Sequence, residues 1–107
     1  MSNFINWLEH TGASAEKFYK TTLWQGEYVM VGMNCLEAGQ VQKTHAHMGA
    51  DKFYFVLEGA GLFIVGDEER EASRGELIIA PAGVEHGVKN TGSERLSLLI
   101  AIAPGVK

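Results

Sequence analysis

The chain has 107 residues, a formal net charge of −4, 46% apolar residues and 21% charged residues. This length and composition fit one compact globular domain and exclude an intrinsically disordered chain. Lysine and arginine are scattered singly, without the basic stripe that nucleic-acid binding requires, and the apolar runs are too short to cross a membrane. The sequence shows no secretory signal, and its single cysteine, Cys35, fits a reducing compartment. We therefore expect a cytoplasmic protein without nucleic-acid or membrane partners.

In chain order, residues 1–24 are expected to form an N-terminal arm and a first strand, with a short helix near residues 4–10 or one turn at 14–17 capped by Ser14. Beyond them, glycine-containing turns separate short segments rich in Val, Ile, Phe, Tyr and Leu, namely 27–36, 53–57, 62–65, 76–80, 84–89 and 95–103. Short strands at intervals of about ten residues are typical of an all-β sandwich or barrel. Residues 25–107 are therefore predicted to form a β-barrel, and the whole chain one domain.

The segment 53–57 is apolar at every position, whereas a strand of a lone barrel should have one polar face. Either the N-terminal arm or a second sheet covers the outer face, or this face meets the same face of a second copy. The second interpretation predicts a homodimer, because obligate homodimer interfaces resemble a hydrophobic core cut in two.

Two histidines give the first sign of a site. His45 and His47 are separated by one residue, so on a strand both imidazoles point to the same face. Five residues separate Gly39 from His45, four separate His47 from Lys52, and six more lead to Gly59.

A second block follows with its own fixed spacing. Gly75 is followed after five residues by Pro81-Ala82-Gly83, after two more by His86, and after three more by Asn90. The two blocks resemble the paired motifs of the cupin superfamily, G(X)5HXH(X)3–4E(X)6G and G(X)5PXG(X)2H(X)3N. The second block matches at every fixed position, and the first at all but one.

The resemblance implies a double-stranded β-helix, or jelly-roll-like barrel, with a metal ion in its mouth. By position, His45, His47 and His86 match the family's histidine ligands, and Lys52 stands where the family has a glutamate. The resemblance thus implies one divalent transition-metal ion per chain: Fe, Zn, Ni or Mn, with Fe(II) favoured for an enzyme.

Three interpretations of the substituted glutamate stay open. The site has three protein ligands with further positions free; or Asp51 supplies a fourth ligand, although it has the opposite strand parity to Lys52; or the site has lost its metal and binds ligand alone. In the first case Lys52 can hold an anionic group near the metal. By the same parity, Tyr54 shares the inner face with Lys52, and these two are the candidate catalytic residues.

Three neutral imidazoles leave coordination positions for a chelating substrate and dioxygen on Fe(II), or for an activated water on Zn(II). The leading hypothesis is a metal-dependent oxidoreductase, dioxygenase-like, acting on a small polar or anionic substrate. A non-catalytic ligand-binding or sensory protein and a metal-assisted isomerase or lyase are the alternatives, because the fold alone does not fix the reaction.

Overall fold

A computed structural model describes residues 2–105 of the chain. In this part, a four-residue 3-10 helix, Trp7–His10, precedes nine strands. The strands are β1 Tyr19–Gln25, β2 Met30–Leu36, β3 Val41–His45, β4 Asp51–Glu58, β5 Ala60–Val65, β6 Glu68–Ser73, β7 Leu77–Ala80, β8 His86–Lys89 and β9 Leu96–Ala103.

The strands form two antiparallel sheets with the orders β1-β2-β9-β4-β7 and β3-β8-β5-β6. Strands adjacent in space are mostly distant in sequence, as in a jelly roll, because the chain crosses repeatedly from one sheet to the other. The core between the sheets contains Leu36, Tyr54, Val56, Phe63, Ala72, Val88, Leu96, Leu98 and Ile100. The all-β, double-stranded β-helix fold expected from the sequence is confirmed.

Strand β4 shows how side-chain alternation orients the site. Lys52, Tyr54 and Val56 are buried on the inner face, whereas Phe53 and Phe55 are half-buried on the outer face. The alternation predicted for this segment is thus confirmed. It brings a lysine into the barrel interior, where burial of an unpaired charge is costly.

The N-terminal region differs in detail from the expectation. The helix is a single 3-10 turn at Trp7–His10, capped by the Asn6 side chain, which accepts from the Leu8 N–H, and no helical turn forms at residues 14–17. The expected arm boundary at residues 24 and 25 lies at the end of β1, which pairs with β2 from Tyr19 to Gln25.

No helix of the described residues is long and apolar enough to cross a membrane.

Two residues of the sequence motifs hold the loops that frame the barrel. Gly59 has a φ of +85°, and a Cβ there would lie 2.3 Å from the Arg95 carbonyl oxygen, so only glycine fits. The buried Asn90 side chain donates to the carbonyls of Leu36 and Glu94, each at 2.8 Å, and accepts from the Gly92 N–H at 2.9 Å. Asn90 therefore acts as a hydrogen-bonding clamp between the end of β2 and the loop before β9.

Candidate metal centre

The three motif histidines meet at one end of the β3–β8 pair. His45 is the last residue of β3 and lies opposite His86, the first residue of β8, in the antiparallel register. His47 lies just beyond the end of β3, where its carbonyl accepts a hydrogen bond from the Gly83 N–H at 2.9 Å. Two strand ends and one loop thus bring the side chains together, and one potential ligand atom from each lies within 4.8 Å of the others.

Backbone contacts fix the orientation of two of these rings. His45 Nδ1 lies 2.9 Å from the Lys43 carbonyl, and His86 Nδ1 lies 3.0 Å from the Val84 carbonyl. A ring nitrogen that faces a carbonyl must carry the proton, so in the neutral imidazole the Nε2 lone pair is free. For His86, Nε2 is buried and has no hydrogen-bonding partner among the described residues. Both Nε2 atoms are therefore presented as ligands.

The geometry fits a single transition-metal ion. His45 Nε2 and His47 Nε2 are 3.2 Å apart. Two imidazole nitrogens bound to one ion at about 2.1 Å, with an angle between tetrahedral and octahedral values, lie about 3.0 to 3.4 Å apart. The unpartnered His86 Nε2 supplies the third donor, so the three imidazoles fit the metal that the sequence motif implies.

Electrostatics keep two of the imidazoles neutral. Burial is the main cause that lowers the pKa of both His47 and His86, and the positive charge of Lys52 lowers both further. The hydrogen bond from His86 to the Val84 carbonyl opposes this effect in part. Because only a neutral imidazole has a lone pair for a metal, the lowered pKa values favour metal binding at neutral pH.

The two candidate catalytic residues from β4 lie beside this cluster. Lys52 is 4% exposed, and its ammonium lies 4.4 Å from the centre of the Tyr54 ring. Burial, followed by the charge of Lys20, lowers the pKa of Lys52 from its ordinary value of 10.5 to about 8. The Tyr54 ring lies 6.0 Å from that of His86, and burial raises the pKa of its hydroxyl, which donates to Gln42 Oε1.

Asp51 lies elsewhere. It is exposed, and its carboxylate accepts a hydrogen bond from the Ala82 N–H at 2.9 Å. Its position one residue before Lys52 turns it to the outer face, so the structure brings it to the loop before β8 and not to the histidines. Asp51 therefore lies outside the group of residues that could hold the metal.

Two polar residues of the barrel interior were not identified from the sequence. Gln42 holds the Tyr54 hydroxyl, and Asn34 is buried on β2 with an unpartnered side-chain nitrogen. Asn34 could have been identified from the sequence, because it is the polar residue within the apolar run of β2. Gln42 carries none, because strand β3 is polar along most of its length.

Comparison with solved structures shows close overall similarity. A crystal structure of the protein TT1209 from Thermus thermophilus superposes with a TM-score of 0.92 at 35% identity and covers 96% of this chain and 98% of that one. An RmlC-like cupin protein from Desulfovibrio desulfuricans superposes with a TM-score of 0.87 at 28% identity and covers 99% of this chain and 100% of that one.

Sequence relatives agree with this similarity. An uncharacterized protein of Streptomyces coelicolor is 38% identical over 76 residues, which are 69% of each chain. Acireductone dioxygenase of Rhodopseudomonas palustris is 33% identical over 55% of this chain but only 38% of its own length. An oxalate-binding protein of Thermotoga maritima is 28% identical over 63% of this chain and 55% of its own.

The family model that describes the cupin domain matches residues 32–102. This range contains most of β2, all of β3 to β8, most of β9 and the three histidines of the candidate centre. The chain therefore belongs to the cupin family.

Proposed function

We propose that this protein is a small metal-binding cupin in which His45, His47 and His86 hold one divalent transition-metal ion. The observation that carries the proposal is the buried, unpartnered Nε2 of His86, because a buried polar atom without a partner is costly unless a ligand satisfies it. Three neutral ligands leave the ion its full charge and leave positions free for a small polar or anionic molecule. Fe, Zn, Ni and Mn all suit such a donor set, and Fe(II) is the ion expected of an enzyme.

The reaction class that we propose is a dioxygenase-like oxidation. Similarity to the Rhodopseudomonas palustris acireductone dioxygenase supports it, and a ferrous ion would supply the redox chemistry toward dioxygen and substrate. The chain's own residues orient and shield the reactants. Buried Tyr54 keeps its proton and presents its ring beside His86, while the Lys52 ammonium attracts an anionic substrate group.

The test begins with elemental analysis of the purified protein, where we expect one transition-metal ion per chain. Oxygen uptake is then measured with Fe(II)-loaded protein on thiols, diketones and catechols. Oxygen consumption with one of these classes, abolished in His47→Ala, supports the dioxygenase-like chemistry. Stoichiometric iron without oxygen consumption on any of them would refute it.

A second candidate is a non-catalytic protein that binds a small acid at the metal. The cation of Lys52 beside the cluster and the similarity to an oxalate-binding protein favour this function. One experiment distinguishes the two candidates. If the function is binding alone, the metal-loaded protein binds oxalate in calorimetry, and chromatography shows that the oxalate is released unchanged. For the isomerase or lyase alternative, the amine of Lys52 is the candidate base, because burial lowers its pKa to about 8.

We also propose that the protein is a cytoplasmic homodimer. On the outer face of the larger sheet, Phe53 pairs with Ile79 and Phe55 with Leu77, and Leu77 and Ile79 are more than half exposed. An apolar strip across two strands is suited to meet its own copy. In sedimentation experiments we expect a dimer and, in Ile79→Asp, a monomer; a wild-type monomer at micromolar concentration contradicts this interface.

A further inference from the structure

A polar cavity opens on the inner face of β1, β2 and β9, where Lys20 and Thr22 of β1 are exposed. It measures about 440 Å³ and is lined by Lys20, Thr21, Thr22, Met30, Asn34 and Ile100. Among the described residues, none of those that line it is acidic. On β2 it extends from Met30 to Asn34, four residues or about 13 Å of strand. The cavity is therefore long enough for an extended small molecule.

Strand β2 packs closely against β1 beside the cavity. Gly32 lies between Met30 and Asn34, and a Cβ there would meet the Thr21 carbonyl oxygen at 2.9 Å and the side chains of Met30 and Ile100 at 3.4 and 3.5 Å. A side chain at position 32 would therefore clash with β1, so glycine allows the close approach of the two strands that border the cavity.

The far end of the cavity presents donors without partners. Asn34 is 1% exposed, and its Nδ2 makes no hydrogen bond within the described residues. Lys20 is its direct neighbour across the β1–β2 pair. A buried amide without a partner destabilises the fold, so a group that accepts its hydrogens would stabilise the protein.

The near end of the cavity leads to the histidines through β4. In register, Lys52 lies across β9 from Met30, with Ile102 between them, and Tyr54 pairs with Ile100 of the cavity wall. The Lys52 ammonium and the His86 ring both lie against Tyr54. Within the described residues no carboxylate forms an ion pair with Lys52. The register thus places Lys52 level with Met30, at the end of the cavity opposite Asn34.

We infer that this cavity is a second ligand subsite, which takes the remote carboxylate of a small organic diacid whose other end reaches the three histidines. Asn34 Nδ2 and Lys20 hold the remote carboxylate, and Lys52 neutralises the acid at the histidine end. The assignment of the near end rests on the proposed metal site. The far end rests only on the cavity and its unpartnered donors.

The test is calorimetric titration of the Ni(II)-loaded protein and of the metal-free protein with succinate and glutarate, and with propionate and butyrate as single acids of similar length. We expect the loaded protein to bind the diacids at least tenfold more tightly than the single acids. Asn34→Leu should remove this tenfold preference while keeping the affinity for single acids and the nickel content. The exposed Lys17→Met variant is the matched control, with wild-type affinities.

If the leucine variant does not fold, Asn34→Asp serves as a second, nearly isosteric variant. It should also lose the preference for diacids over single acids, because its carboxylate repels the ligand. Wild-type diacid preference in a folded Asn34 variant would overturn the subsite, as would equal binding of diacids and single acids by loaded wild-type protein. Failure of the metal site is seen separately as absence of nickel. Diacid binding that persists in that case and depends on Asn34 would support the far end alone.

Discussion

Replacement of Lys52 by methionine should raise the stability of the protein at neutral pH. The buried ammonium has a pKa of about 8, against an ordinary value of 10.5. In the unfolded chain, the lysine thus binds its proton up to a higher pH than in the folded chain. Between these two values the unfolded state binds more protons, so stability rises with pH across this range.

The magnitude follows from the same difference. Each unit of pKa corresponds to about 1.4 kcal/mol, so the buried charge costs the folded state about 3 kcal/mol below pH 8. Methionine keeps a long apolar stem without the charge. We therefore expect Lys52→Met to unfold with a free energy about 3 kcal/mol higher at pH 7, and about equal to that of the wild type near pH 10.5.

Urea unfolding of the metal-free proteins, followed by far-UV circular dichroism at several values between pH 7 and pH 10.5, measures this difference. Other groups titrate in this range, and the subtraction of variant from wild type removes their contribution. The exposed Lys17→Met variant should differ from the wild type by less than about 0.5 kcal/mol at every pH. A gain for Lys52→Met that stays constant across the range would refute the reasoning, because it would not arise from a buried charge.

Three further variants test the site and its frame. His47→Ala is expected to abolish metal retention in elemental analysis, since it removes one of three ligands, whereas the exposed His10→Ala should keep the wild-type content. Lys52→Glu should raise metal affinity at least tenfold and weaken anion binding, because a carboxylate replaces a cation that repels the metal. Unchanged affinity for the metal and for anions would contradict the inward position of Lys52. Asn90→Ala should lower the free energy of unfolding by about 2 to 3 kcal/mol, because it removes three hydrogen bonds. Ser93→Ala, at an exposed position of the same loop, should change it by less than about 0.5 kcal/mol, and an equal loss in both variants would contradict the clamp.

The sequence predicted the apolar strands well and the polar ones poorly. Segments such as 53–57 and 95–103 are predicted to be strands because they are rich in Val, Ile, Leu and Phe, and they are found in β4 and β9. Strand β6, with the sequence Glu-Glu-Arg-Glu-Ala-Ser, carries no such signal because five of its six residues are exposed at the edge of the smaller sheet. Its formation depends on pairing with β5, which only the folded chain provides.

The candidate site was predictable where a motif fixes it. The spacing of His45, His47 and His86 was sufficient to name the three residues, although His47 lies beyond the strand end and not on the strand. Strand parity also predicted the inward side of Lys52 and the outward side of Asp51. These statements follow from local backbone geometry, which the sequence determines directly.

What the tertiary structure decided is the environment of these side chains. The burial of His86 Nε2 without a partner and the cavity at Asn34 depend on residues from strands distant in sequence. The sequence alone determined that three histidines and a lysine share one barrel. Only the packing of the two sheets determined that the lysine is buried without a carboxylate partner, because burial and ion pairing are properties of neighbours brought together by folding.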